Sequence, residues 1–131
     1  MVRVIMHGCN GRMGQVITEM IAKEAEMEIV AGVDLSDHIQ NFYPVFKSMK
    51  DCDVEADVVI DFANAKAVDG LLDVCVERNL PCVLCTTGLS EEQLAHVKEA
   101  SGKVAILRSA NMSMGINLLM KLLKDAVPVL A

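Results

Sequence analysis

The first fourteen residues of the chain, Met1 to Gly14, read MVRVIMHGCNGRMG. An apolar run that is typical of a buried strand passes directly into three glycines, Gly8, Gly11 and Gly14. At such a junction the first glycine permits a sharp turn, the second lets a phosphate approach the backbone, and the third lets a helix pack close to the strand. The free N–H groups at the helix start then favour an anion. The stretch therefore predicts a site for a dinucleotide pyrophosphate.

The glycine spacing is G-x-x-G-x-x-G instead of G-x-G-x-x-G, so the following residues decide how it is interpreted. An apolar pattern with helical spacing predicts an amphipathic helix after the turn, formed by Met13, Val16, Ile17, Met20 and Ile21. A second apolar run then ends at Asp34, about 20 residues after the last glycine, where an acid accepts hydrogen bonds from a ribose diol. This order of features favours a nucleotide site over an ordinary βαβ turn.

Length and composition indicate one globular domain. The chain has 131 residues, of which 53% are hydrophobic and 23% are charged, and it is too short for two ordinary domains. Its net charge of −6 disfavours nucleic acid and anionic membrane surfaces, since both require a basic patch. No apolar run reaches the roughly 20 residues of a membrane span. We therefore expect neither nucleic acid nor a membrane as a partner.

The start of the chain and its cysteines point to a cytoplasmic location. The strand that begins at Val2 leaves no room for a signal peptide. The five cysteines are an odd number in a core-forming chain, which favours free thiols in a reducing compartment.

The rest of the chain alternates between strand and helix patterns, which predicts an α/β fold of the Rossmann type with a doubly wound parallel sheet. Helices are expected to start near Arg12, near Ala65 with Asn64 as N-cap, and at a capping box that begins at Ser90. The segment 35–56 shows no clear periodicity and is expected to be loop with an irregular helix. The predicted strands are 2–7, 28–33, 57–61, 81–85 and 104–108.

The last segment, 113–131, is apolar on nearly every side, which predicts a helix that needs a partner. We therefore expect one domain, 1–131, whose final helix leads into a second domain that is absent from this chain.

Several motifs together resemble the dihydrodipicolinate reductase (4-hydroxy-tetrahydrodipicolinate reductase) family of the diaminopimelate and lysine biosynthesis pathway. The glycine turn at 11–14 is followed, in the family's order, by motifs at 59–62, 86–89 and 111–117. The resemblance covers the chain from Val2 to about residue 126. It implies a two-domain, usually tetrameric oxidoreductase that reduces a cyclic dicarboxylate with NADH or NADPH.

By this resemblance the chain is the cofactor domain alone. The family's paired histidines and its substrate-binding segment do not occur among these residues, so no catalytic residue and no metal ligand is carried over. The dicarboxylate would bind through the absent domain. The chain alone would bind cofactor without turning over substrate, and the whole protein would be a homo-oligomer.

The resemblance also implies the cofactor contacts. The residues expected against the pyrophosphate are Gly8, Cys9, Asn10, Gly11, Arg12 and Met13. Asp34 would hold the adenosine ribose, and Phe62 would wall the site. The nicotinamide end would be contacted by Cys85, Thr86 and Thr87, and by Ser109, Ala110, Asn111 and Met112. Cys85 stands where the family commonly has glycine.

The residues after Asp34 predict a preference for NADH over NADPH. They read Leu35-Ser36-Asp37, with no arginine to offset the repulsion between Asp34 and a 2′-phosphate. Lys47 or Lys50 could reach over and weaken this preference.

Other side chains are given structural interpretations. Cys82 and Cys85 lie three positions apart in a predicted strand, so their side chains point to opposite faces, which argues against a redox or zinc pair. Cys9 could have a lowered pKa beside the helix start, although a small packing residue is the simpler interpretation. Asp61 is expected to cap the turn that follows it. His7 is expected to have a core or helix-start role, and His38 and His96 to be solvated.

Two other functions remain open from the sequence. One is the cofactor domain of an enzyme like aspartate or homoserine dehydrogenase, which we would expect to lack the combined motifs at 86–88 and 111–115. The other is a stand-alone nucleotide-sensing module, which would need a more polar final helix.

Overall fold

The computed structural model of the chain describes residues 2–36 and 39–108. Six strands and three α-helices are present in these residues. The strands are β1 (Val2–His7), β2 (Met27–Val33), β3 (Val45–Phe46), β4 (Val58–Asp61), β5 (Cys82–Leu84) and β6 (Ile106–Arg108). The helices are α1 (Arg12–Ala22), α2 (Val68–Arg78) and α3 (Glu91–Ser101), and a short 3₁₀ turn (Ala65–Ala67) precedes α2.

The strands form one parallel sheet in the order β3-β2-β1-β4-β5-β6. This is the strand order of a Rossmann fold, in which the chain reverses direction beside β1. The predicted α/β fold class is therefore confirmed. The order also places the end of β1 at the switch point, where ligands bind in sheets of this kind.

Two apolar clusters cover the two faces of the sheet. One cluster contains Ile17 and Ile21 of α1, and the other contains Leu71 and Leu72 of α2. Alternate residues of β1 divide between the clusters, as the two-residue period of a strand requires. Opposite Ile5 the register skips Val30, a bulge that reverses the faces of β2. Met27 and Ile29 therefore belong to one cluster, and Ala31 and Val33 to the other.

The segment 35–56 was predicted to be loop and irregular helix, and this is wrong for its centre. Val45 and Phe46 form β3, which pairs in parallel with Gly32 and Val33 at the edge of the sheet. Two residues are too few to show a period, so the strand depends on pairing with β2 and leaves no local signal. Its presence brings the lysines that follow it to the carboxyl edge of the sheet.

The helix starts agree with prediction at two of three positions. Helix α1 begins at Arg12, and Ser90 and Gln93 form the predicted capping box at the start of α3. Near Ala65 the chain forms a 3₁₀ turn, and α2 begins three residues later. Asn64 stands at the predicted N-cap position, now of that turn, but its side chain makes no capping hydrogen bond.

The cysteines agree with their structural interpretation. All five are free and buried. Cys82 and Cys85 belong to the apolar clusters on opposite faces of the sheet. Within residues 2–36 and 39–108, no group of three His, Cys, Asp or Glu side chains could hold a metal ion. None of the helices in these ranges has the length and apolar character that crossing a bilayer requires.

Candidate functional site

The glycine turn between β1 and α1 has the tight geometry that its sequence predicts. Gly8 has a φ of +86°, a conformation that side chains disfavour, and a Cβ there would lie 2.6 Å from the carbonyl oxygen of Phe62. A Cβ at Gly14 would lie 2.8 Å from the carbonyl carbon of Cys9. Both positions therefore require glycine, which lets α1 start directly above the end of β1.

The start of α1 faces outward from this turn. Gly11 is exposed, and the nearest atom to a Cβ there would be 3.4 Å away. The N-cap has no side-chain hydrogen bond, and the first turn carries no acidic residue. Arg12 is exposed beside it. The helix start thus offers backbone N–H groups and a guanidinium, a combination that suits an anion.

Asp34 joins the glycine turn to the end of β2. One carboxylate oxygen accepts a hydrogen bond from the backbone N–H of Asn10 at 2.9 Å, and the other accepts one from Ser36 at 2.9 Å. The Asn10 side chain in turn donates to the carbonyl of Ser36 and accepts from Asn41 at 2.7 Å. A carboxylate has about four acceptor positions, so Asp34 can still accept from a ribose hydroxyl.

Cys9 lies behind the turn and is fully buried. Burial raises the pKa of its thiol to about 11, and the nearby Asp34 carboxylate adds to the effect. The possibility of a lowered pKa is therefore wrong, because desolvation outweighs any effect of the helix start. Cys9 packs against Tyr43, whose hydroxyl lies 2.9 Å from that of Thr18. Its role in this structure is packing.

A cavity of about 630 Å³ opens beside the turn, at the carboxyl edge of the sheet. Its mostly apolar floor includes Met49 and Leu71. Among the described residues that line it, the predicted site residues are Gly8, Gly11, Asp34 and Phe62, and the lysines are Lys47, Lys50 and Lys66.

A buried polar network closes the inner wall of this cavity. The register of β1 and β4 pairs His7 with Asp61, and His7 Nδ1 lies 2.7 Å from Asp61 Oδ1. Asp61 also accepts hydrogen bonds from the backbone N–H of Ala63 at 3.2 Å and from the backbone N–H and hydroxyl of Thr86. The bond to Ala63 is the turn cap that was expected of Asp61. His7 itself lines the cavity.

The other predicted site residues lie away from the cavity or outside the described part. Cys9 and Asn10 are buried behind the turn, and Met13 is half-buried. Cys85 and Thr86 are buried at the end of β5, while Thr87 is exposed, and none of these three lines the cavity. Burial and the Asp61 charge raise the pKa of Cys85 to about 12. Residues Ser109, Ala110, Asn111 and Met112, and the segment 113–131, lie outside the described residues. The nicotinamide contacts therefore stay predictions.

Sequence reasoning missed part of the cavity wall. The residues it did not include in the site are His7, Val33, Leu35, Ser48, Met49, Ala63, Asn64, Ala67, Gly70 and Leu71. Lys47 and Lys50 were considered only as residues that could reach over and weaken the NADH preference, and Lys66 was not assigned to the site. No local signal could have placed these lysines, because the two residues of β3 show no period and become a strand only by pairing with β2.

Solved structures with low sequence identity share this architecture. The scyllo-inositol dehydrogenase from Lactobacillus casei, solved with bound NAD(H) and scyllo-inositol, superposes with a TM-score of 0.72 at 13% identity, over 95% of this chain and 41% of that one. At this identity the likeness shows the fold alone.

Relatives with higher sequence identity are named as reductases of dihydrodipicolinate or 4-hydroxy-tetrahydrodipicolinate. A 4-hydroxy-tetrahydrodipicolinate reductase of Caldanaerobacter subterraneus subsp. tengcongensis is 48% identical over 99% of this chain and 51% of its own length, and that of Clostridium tetani is 46% identical over 95% and 49%. A dihydrodipicolinate reductase structure from Paenisporosarcina sp. TG-14, solved with dipicolinate, has a TM-score of 0.76 at 26% identity over 96% of this chain and 53% of that one. The chain thus spans about half the length of the curated relatives it matches.

The family model described as "Dihydrodipicolinate reductase, N-terminus" matches residues 2–112, a range that runs from β1 past the end of β6. With the relatives' identity and the shared Rossmann architecture, this match shows that the chain belongs to the dihydrodipicolinate reductase family.

Proposed function

We propose that the cavity at the carboxyl edge binds the adenosine and pyrophosphate part of a nicotinamide dinucleotide. The observation that carries this proposal is the convergence of the glycine turn and Asp34 on one cavity. Gly8 and Gly14 let the turn close tightly on its own backbone, and the exposed Gly11 leaves the helix start open to phosphates. The residues therefore fit the cofactor, with the helix start facing its phosphates and Asp34 its ribose.

For the whole protein we propose the reaction named for its relatives, the reduction of 4-hydroxy-tetrahydrodipicolinate in diaminopimelate and lysine biosynthesis. The bound cofactor supplies a hydride from the nicotinamide ring. The residues of this chain orient the cofactor, and we assign the dicarboxylate substrate and the proton donor to residues outside this chain. The chain on its own then binds cofactor and does not turn over substrate, and we further propose a homo-oligomer for the complete protein.

We propose a cytoplasmic location for the complete protein. Its support is the set of five free, buried cysteines, which suits a reducing compartment.

We further propose that NADH binds more tightly than NADPH. Asp34 lies where the adenosine ribose is expected, and a 2′-phosphate there would face its negative charge. Lys47 and Lys50 line the same cavity and oppose this repulsion. Both are exposed, so water screens their charges, whereas Asp34 is half-buried. The carboxylate therefore has the larger effect.

Calorimetric titration of the chain with NADH and NADPH tests the proposed nucleotide site and the proposed preference for NADH. We expect binding of both, with the dissociation constant for NADPH about tenfold higher. Asp34→Asn should bring the two constants together, and Asp53→Asn, an exposed change outside the cavity, should leave their ratio unchanged. Equal affinities in the unchanged chain would overturn the preference and make Lys47 or Lys50 a phosphate contact. Absence of binding to either would overturn the nucleotide site.

A further inference from the structure

His7 is a buried side chain at the wall of the proposed cofactor cavity. Only 4% of the residue is exposed, and it adjoins Gly8, the first glycine of the phosphate turn. It ends β1 at the switch point of the sheet. Neither the motif nor the resemblance assigns it a role toward the cofactor.

The hydrogen bonds of His7 determine which nitrogen is available. Nδ1 faces an oxygen of Asp61, and the other hydrogen bonds of that carboxyl group come from N–H and O–H donors. Asp61 therefore accepts, and Nδ1 carries the proton. Within the part of the chain that the structure describes, Nε2 has no hydrogen-bond partner.

Nε2 is also the atom of the ring that a ligand can reach. In the described residues, no fully enclosed side-chain nitrogen or oxygen lacks a hydrogen-bond partner. Because Nε2 has none, it is the accessible nitrogen of an otherwise buried ring. Since His7 lines the cavity, Nε2 is accessible from that cavity.

The charges around His7 favour an anionic partner. On the β4 side, Asp61 Oδ1 lies 2.7 Å from His7 Nδ1, where a carboxylate can balance a positive charge on the imidazole. Asp34 is the acidic group at the end of β2 that shares the cavity. Three cationic groups line the same cavity as His7, namely Lys47 and Lys50 after β3 and Lys66 in the 3₁₀ turn.

We propose that His7 binds the pyrophosphate of the cofactor, with Nε2–H donating a hydrogen bond to a phosphate oxygen. This inference rests on the proposed nucleotide site and adds to it a charged residue that neither the glycine motif nor Asp34 supplies. Asp61 fixes the ring and stabilises its positive charge.

The test compares ADP with adenosine, because only ADP carries a pyrophosphate. In His7→Asn we expect ADP to bind about tenfold more weakly, as for the loss of one charge-assisted hydrogen bond, while adenosine binding is unchanged. His96→Asn is the matched control, since His96 also pairs with an aspartate but lies outside the cavity. It should change neither affinity.

The imidazole resonances of the unchanged chain give a second readout. We expect ADP, but not adenosine, to shift the nitrogen resonance of His7 Nε2, and His7→Asn, which lacks the imidazole, identifies that resonance. A residue that only supports the fold would not respond to ADP alone, and the measurement on the unchanged chain does not depend on any variant folding.

Several results would overturn the proposal. No ADP-specific shift of the His7 Nε2 resonance, unaltered ADP affinity in a folded His7→Asn, or an equal loss of ADP and adenosine affinity would each exclude a pyrophosphate contact. His7→Gln replaces His7→Asn if circular dichroism shows the latter to be unfolded. If the unchanged chain binds no ADP, the nucleotide site itself fails, so this outcome is distinct from failure of the His7 assignment.

Discussion

Two histidines of this chain pair with aspartates at the same distance in opposite surroundings. His7 lies 2.7 Å from Asp61, and their side chains are 5% and 0% exposed. His96 lies 2.7 Å from Asp69, and these side chains are 27% and 53% exposed. The buried pair is therefore expected to contribute more to the free energy of unfolding than the exposed pair, because water competes for the hydrogen bond of the exposed pair.

The two pairs also arise from different levels of structure. The first is imposed by strand register, since His7 and Asp61 are paired positions of β1 and β4. The second joins helices α2 and α3, with His96 Nε2 also 3.2 Å from Asp73, one helical turn beyond Asp69. One pair is part of the sheet that forms the candidate site, and the other is a link on the surface.

Removing the acid from each pair should give the largest contrast. Asp61→Ala leaves His7 Nδ1 and the N–H and O–H donors of Thr86 without their acceptor inside the protein, and we expect a loss of about 3–5 kcal/mol in the free energy of unfolding. Asp69→Ala, the matched change at the surface, should cost about 1 kcal/mol. Urea unfolding of both variants measures the difference. Similar losses of unfolding free energy in the two variants would show that burial does not make the His7–Asp61 pair more stabilising than the His96–Asp69 pair.

A smaller effect is expected from the hydroxyl that completes the buried network. Thr86→Val keeps the shape of the side chain but removes the hydrogen bond to Asp61 and one of the two acceptors of the Ala63 N–H. We expect a loss of about 2 kcal/mol. Thr87→Val, at the exposed neighbour, should change stability by less than about 0.5 kcal/mol. If both substitutions were neutral in urea unfolding, the network would not contribute to stability.

Local patterns were sufficient for the parts of the fold that depend on local interactions. The glycine turn, the helix that begins at Arg12 and the Ser90–Gln93 capping box all depend on residues close in sequence, and the structure contains all three. The position of Asp34 beside the turn followed from the order of strand, helix and strand. Asp34 also has a structural role, because its carboxylate accepts a hydrogen bond from the backbone N–H of Asn10 in the glycine turn.

Features that depend on pairing between distant segments could not be read in this way. Nothing local distinguishes Val45-Phe46 from loop, because its strand character comes from β2. Without β3, Lys47 and Lys50 could not be placed on the cavity wall. His7 and Asp61 are 54 positions apart, and their contact required the register of β1 and β4. His96 was expected to be solvated and is instead held between two aspartates, a contact that depends on how α2 and α3 pack.

The smallest expected effect is a pH dependence confined to the surface pair. The hydrogen bond to Asp69 raises the pKa of His96 above its ordinary 6.5, with the Asp73 charge adding to the effect. The folded chain therefore holds this proton more tightly than the unfolded chain does. The resulting stabilisation is complete below pH 6.5 and is lost as the pH rises through the raised value.

Asp69 sets the lower pH limit of this stabilisation. The hydrogen bond with His96 lowers the pKa of Asp69 below 3.8, so the contribution of Asp69 to stability is lost as the pH falls through the lowered value. His96→Asn should therefore lower the Tm by about 3 °C at about pH 5.5 and by less at about pH 9, since an exposed pair contributes at most about 1 kcal/mol. Thermal unfolding of both proteins at both pH values measures this, and groups that titrate equally in the two proteins cancel in the difference. A Tm difference that is the same at both pH values would mean that His96 contributes by packing, and that the contrast with His7 is one of contact area instead of charge.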